Sequence, residues 1–155
     1  MSELVPITAP AALQEAQRRA LRRVAALMIP ASEEHGVPGA DDEAIFADIL
    51  RSLGRDADAV RAALRRLDDL AGGAFADRPD EEQRAAAQRL RGGDAALAAV
   101  LATVVVRCYY RDDRVMRSLG MEPRPPFPKG FDVEQGDWSL LDPVRARGRI
   151  YREVP

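Results

Sequence analysis

Five successive stretches of this chain carry apolar residues at three- and four-residue steps, and proline or glycine closes the first four. That pattern limits the fold more than any other feature. A 3.6-residue period belongs to amphipathic helices, whereas a half-buried strand alternates every second residue. The first stretch, about residues 10–28, sets Leu13, Ala16, Ala20, Leu21, Val24 and Leu27 on one side. Arg18, Arg19, Arg22 and Arg23 fall on the other. Pro10 suits a first helical turn, and Ile29-Pro30 ends the helix because proline disfavours helical backbone in the residue before it.

The second helix opens behind Asp41-Asp42-Glu43, acids that complement the positive end of its dipole. Ile45, Phe46, Ile49, Leu50 and Leu53 form its buried stripe, and Gly54 is its stop. A third, from about Asp56 to Ala71, turns Val60, Leu64, Leu67 and Leu70 inward and closes at Gly72-Gly73. The fourth starts near Pro79 and ends at Gly92-Gly93; it is alanine-rich and weakly apolar, which places it on the outside. The fifth, Asp94 to about Tyr110, carries Leu97, Val100, Leu101, Val104, Val105, Val106 and Cys108. A helix apolar on nearly every side belongs in the centre. A short sixth runs from about Asp112 to Leu119 and ends at Gly120. The sequence therefore predicts an all-α fold, a helical bundle of about five to six helices over residues 1–120.

Residues 121–155 have no amphipathic period, with only weak strand character near 148–154, and are expected to form an extended C-terminal arm of the same domain. The arm is rich in proline and holds four of the eight aromatics, Phe127, Phe131, Trp138 and Tyr151. Disordered tails are poor in aromatics, and compact domains seldom carry long irregular segments without a purpose. The arm is thus expected to pack, either on its own bundle or on a partner. Pro123, Pro125, Pro126 and Pro128 hold the backbone extended, which lowers the entropy lost on docking. Tyr109, Tyr110, Pro126, Phe127, Phe131 and Trp138 are the candidate partner-binding anchors, since aromatic side chains dominate interface energetics.

The residues give little support to other chemistry. Charged side chains make up 31% of the chain but balance to a net −2, so no global field draws in nucleic acid or an anionic membrane. Arg145, Arg147, Arg149 and Arg152 around Tyr151 form a local basic stripe that reads as a solvated edge or as salt bridges to the acidic helix starts. His35 is the only histidine and Cys108 the only cysteine, which leaves poor material for a metal site or a nucleophile–base pair. The acids Glu33, Glu34, Asp41, Asp42 and Glu43 lack the spacing of a calcium loop. No glycine cluster forms a nucleotide cradle, and no apolar run reaches the length of a membrane span. Arg22-Arg23 before Val24–Ile29 faintly resembles a twin-arginine export signal, but the run is short, Pro30 interrupts it, and an amphipathic helix is the expected reading. No catalytic, metal or cofactor-binding residue is assigned.

Two segments together resemble the subunit 3 family of gluconate 2-dehydrogenase, the small subunits of membrane-linked sugar and polyol dehydrogenases. The first is Leu27-Met28-Ile29-Pro30-Ala31 followed by Gly36-Val37-Pro38-Gly39-Ala40. The second is Tyr109-Tyr110, Asp113-Arg114-Val115, Leu119-Gly120 and the proline run closing at Gly130. The resemblance covers most of residues 20–130. It implies a non-catalytic partner of a flavoprotein of the glucose–methanol–choline type. In such complexes the large subunit binds FAD, oxidises a sugar, sugar acid or polyol, and passes electrons to a cytochrome c subunit or other acceptor. The small subunit supports folding, stability and often export of its partner. Many members begin with a twin-arginine signal, whereas here the first helix comes almost at once. The resemblance thus implies a periplasmic location if a signal-bearing partner co-exports the chain, and a cytoplasmic one otherwise. Two other readings stand beside it: a free-standing helical scaffold or regulatory protein with an unrelated partner, and a small enzyme built on His35 and the acidic loop Glu33–Glu43.

Overall fold

The computed structural model describes residues 12–124, 130 and 134–149. Those residues form seven α-helices: α1 (Glu15–Met28), α2 (Glu43–Arg51), α3 (Ala57–Ala71), α4 (Asp80–Gly93), α5 (Ala95–Tyr109), α6 (Asp113–Ser118) and α7 (Asp142–Ala146). Short 3-10 turns occupy Gly54–Asp56, Phe75–Asp77 and Trp138–Leu141. No strand occurs among the described residues, and a single antiparallel bridge joins Ser32 to Val37. The fold is all-α. The chain divides into two compact units, 1–123 with the first six helices and 124–155 with the last.

The first helix starts later than its periodicity predicts. Gln17 Oε1 accepts the Gln14 backbone N–H at 3.0 Å and satisfies one donor at the helix entrance. Leu13 is already buried one residue earlier. The expected start at Pro10 lies outside the described residues. At the other end the helix stops at Met28, directly before the Ile29-Pro30 pair, as expected.

In α2 the Asp42 carboxylate accepts from the N–H groups of Ala44 (3.1 Å) and Ile45 (3.4 Å). This is an N-cap that satisfies two orphan donors. The helix stops at Arg51, before the expected glycine, and Leu53 is buried from the connecting turn. Gly72 does end α3 as expected: its φ of +67° is the left-handed cap that an L side chain rarely adopts.

The core lies among α1, α2, α3 and α5. Leu21, Ile45, Ile49, Val60, Leu64, Leu67, Val104 and Val105 are sealed from solvent in it. Phe75, from the turn after α3, is also fully buried. The weakly apolar α4 presents Ala86 and Leu90 inward and leaves most of its surface wet, in keeping with an outer position.

α5 packs against α1, α2, α3 and α4, yet it is not apolar-buried all round. Ala96, Ala99, Thr103, Val106 and Tyr110 share one exposed face at helical spacing. Thr103 Oγ1 donates to the Ala99 carbonyl at 2.8 Å, so that hydroxyl is satisfied within the helix.

The C-terminal unit departs from the extended arm expected of it. Asp137 accepts from the Ser139 N–H (3.0 Å) and hydroxyl (2.6 Å), which caps the turn Trp138–Leu141. That turn runs into α7, where Pro143 sits in the first helical turn and its missing N–H costs nothing. Ile150 to Pro155, which include most of the weak strand pattern and Tyr151, lie outside the described residues.

Candidate interaction surface

The loop between α1 and α2 is built by short local bonds. Ser32 and Val37 exchange backbone hydrogen bonds of 3.0 and 3.1 Å, and the Ala40 N–H donates to the Ile29 carbonyl at 2.8 Å. The two ends of the loop are thereby pinned together. Gly39 is the tight point: a Cβ there would lie 2.5 Å from Asp41 Oδ1 and 2.9 Å from the Ala31 nitrogen. His35 sits on the exposed rim, its backbone N–H donating to Ser32 Oγ at 3.3 Å.

The α5–α6 corner closes on that loop. Tyr109 is buried, and its hydroxyl donates to the Pro38 carbonyl at 3.2 Å. Burial, with help from Tyr110 and Asp112, pushes the Tyr109 phenol above its ordinary value, so it stays protonated and keeps donating. Arg114 reaches two helix caps at once. It donates to Asp42 at 2.7 and 3.2 Å and to Asp112 at 3.0 Å from two of its nitrogens. Asp112 in turn caps α6 through the Arg114 N–H at 2.9 Å. Hydrogen bonds from Arg114 hold both carboxyls below the ordinary carboxylate range and raise the guanidinium. One arginine thus ties the N-termini of α2 and α6 together.

Further along the same corner, Arg111 donates to Asp48 at 2.5 Å and to Ser52 Oγ. That hydrogen bond lowers the Asp48 carboxyl and raises Arg111. Arg107 donates to the Ser52 carbonyl at 2.8 Å. Carboxylates held ionised by arginines cannot accept and release protons near neutrality. The corner is a clamp of paired arginines and aspartates. Among the described residues no group of three histidine, cysteine or carboxylate side chains could hold a metal ion.

The candidate anchors separate clearly. Tyr109 is a core residue whose ring meets Tyr110 edge-on at 5.2 Å and 89°. Tyr110 is 52% exposed. In the C-terminal unit Trp138 is 61% exposed, with its indole N–H donating to Gln135 Oε1 at 3.3 Å. Leu140, Leu141 and Val144 are exposed beside it in sequence. Pro126, Phe127 and Phe131 lie outside the described residues. Leu119, from the second resemblance segment, and Met121 just beyond it are also exposed at the end of α6.

A residue absent from the sequence reading is Gln83. Among the described residues it is the one polar side chain in the buried core, 1% exposed. Its Nε2 donates to the carbonyls of Phe75 (3.1 Å), Ala76 (3.3 Å) and Arg78 (2.9 Å). Its Oε1 accepts from Arg23 at 3.0 and 3.1 Å. Arg23 also pairs with Asp80 at 2.6 Å, and Arg19 with Asp77 at 2.8 Å. Arg22 donates to the Asp41 carbonyl at 3.1 Å and lies over the Phe46 ring. The arginines of α1 are therefore ties between elements as well as a wet face. Arg22-Arg23 sits inside a folded amphipathic helix.

Comparison with family models, with curated proteins and with solved structures returns no match for this chain. No described helix is long and apolar enough by itself to cross a membrane.

Proposed function

We propose that this chain is a non-catalytic small subunit that stabilises and assembles a FAD-dependent dehydrogenase of the glucose–methanol–choline type. Its partner would hold the FAD, oxidise a sugar, sugar acid or polyol, and hand electrons to a cytochrome c subunit or other acceptor. One observation carries the reading. The two segments that bear the resemblance are 71 residues apart at Tyr109 and Pro38, and they meet there by a 3.2 Å hydrogen bond. Arg114, from the second segment, reinforces the contact through Asp42, which follows the first. Motif residues that build one local structure have a shared physical reason to occur together.

The exposed apolar side chains support an interaction role. Tyr110 is exposed at the end of α5, and Trp138, Leu140, Leu141 and Val144 are exposed in the C-terminal unit. Exposed aromatic and aliphatic clusters are the usual anchors of protein interfaces. Indole anchors of this kind cost roughly 2 kcal/mol or more of binding when truncated. Trp138→Ala, and separately truncation after Gly120, should lower recovery of the assembled flavoprotein from the native host. Full assembly with either variant would remove the C-terminal unit from the interface.

A further inference from the structure

A cleft of about 520 Å³ opens between α1, α4 and α5, with Leu67 of α3 at its floor. Its walls are Val24, Leu27 and Met28 on one side and Leu90, Leu101 and Ala102 on the others. The volume lies in the range of small-molecule sites, and residues of four helices line it. The apolar walls alone would not choose an occupant. The mouth does.

Arg84, Gln88 and Arg91 line the opening from successive turns of α4, and none of the described lining residues is acidic. Arg84 has only a long contact of 3.9 Å to Asp80, and its side chain is 66% exposed. Arg91 makes no ion pair among the described residues. Arg19, Arg23, Arg66, Arg107, Arg111 and Arg114 are each tied to an aspartate at 3.4 Å or closer, a pairing that Arg84 and Arg91 lack. At this mouth guanidinium groups are left with donors to spare.

We propose that the cleft binds a free amphipathic anion of the alkyl-carboxylate class, with the hydrocarbon chain between α1, α4 and α5 and the carboxylate at Arg84 and Arg91. Guanidinium donates in a planar fork that matches a carboxylate, which makes the head group the natural complement of the mouth. The chain supplies the remaining affinity through apolar burial. This inference does not rest on the assignment of a flavoprotein partner and holds for the chain by itself.

The test is calorimetric titration of the full chain with octanoate, decanoate and dodecanoate below their micellar concentrations. One saturable site is expected, with affinity rising about fourfold for each added methylene. The Arg84→Gln/Arg91→Gln double variant should lose about tenfold in dodecanoate affinity and leave dodecanol binding unchanged. Ala102→Phe, which fills the cleft from its wall, should abolish binding of both while circular dichroism reports an intact fold. If Ala102→Phe fails to fold, the arginine pair still decides between the outcomes. Three results would overturn the proposal: no saturable dodecanoate site, equal affinity for dodecyltrimethylammonium, or dodecanoate binding indifferent to the loss of both arginines.

Discussion

Replacing Gln83 with methionine tests how the second half of the bundle is fastened to the first. Methionine matches the volume and flexibility of glutamine but offers no donor and no strong acceptor. The change removes the bonds to the carbonyls of Phe75, Ala76 and Arg78 and leaves space and shape nearly unaltered. The Phe75 carbonyl is the costly one, because its bond lies in the buried core. An unsatisfied buried acceptor costs about 1–3 kcal/mol, and the two half-buried carbonyls recover part of theirs from water. Arg23 loses Gln83 but keeps Asp80 at 2.6 Å and reaches solvent, so its share is small. A better-packed thioether offsets a little. The sum is a loss of about 2–3 kcal/mol, or roughly 4–12 °C in Tm for a chain of this length. Urea and thermal unfolding followed by far-ultraviolet circular dichroism measure it. Gln83→Ala should be worse, because it adds a cavity to the same lost bonds. If Gln83→Met unfolds within about 0.5 kcal/mol of the parent, a range typical of neutral surface changes, the node does not fasten the turn as described.

Other consequences follow from the α5–α6 clamp. Asp42 and Asp112 are held by Arg114 below their ordinary value of 3.8, so the unfolded chain binds protons more readily than the folded one. That contribution is complete above about pH 4 and is lost as pH falls through the lowered carboxyl values. The unfolding free energy from urea titration should therefore drop on acidification, and Arg114→Gln should both lower it by about 1 kcal/mol at neutral pH and flatten its acid limb. An unchanged acid limb would detach the arginine from those carboxyls. Gly39→Ala forces the Ala31 backbone and the Asp41 carboxylate aside and should cost about 1–3 kcal/mol in the same unfolding assay. Equal stability would mean that the loop is looser than its contacts imply.

Much of the helical skeleton was legible because its determinants are local. Apolar residues at helical steps reported Val60, Leu64 and Leu67 as a buried stripe, and Gly72 reported the stop that a left-handed cap requires. Boundaries set by side-chain bonds were less legible. The Gln14–Gln17 bond carries no hydrophobic signal, so the start of α1 was placed too early. The exposed face of α5 was read as buried because alanine, valine and threonine serve equally well on either side of a helix whose neighbours are unknown. α7 is too short to show a period, although Asp137 and Pro143 were both available as signals.

The candidate site was legible in part, and for the same reason. Tyr109 and Tyr110 stood out as a pair, but only the folded chain sends one inward to Pro38 and leaves the other in solvent. Gln83 gave no signal at all, since one glutamine in a polar helix looks like any surface residue. Arg84, Leu27 and Leu101 belong to three different helices, and no linear pattern announces that they share a cleft.

The assembly claim is tested most directly by purifying the tagged full chain from its native host and scanning the eluate for flavin absorbance. The account predicts co-elution of a large yellow protein in fixed ratio to the chain, with dye-reducing activity on a sugar, sugar acid or polyol. A colourless chain eluting alone, or with a partner that carries no flavin, would contradict it.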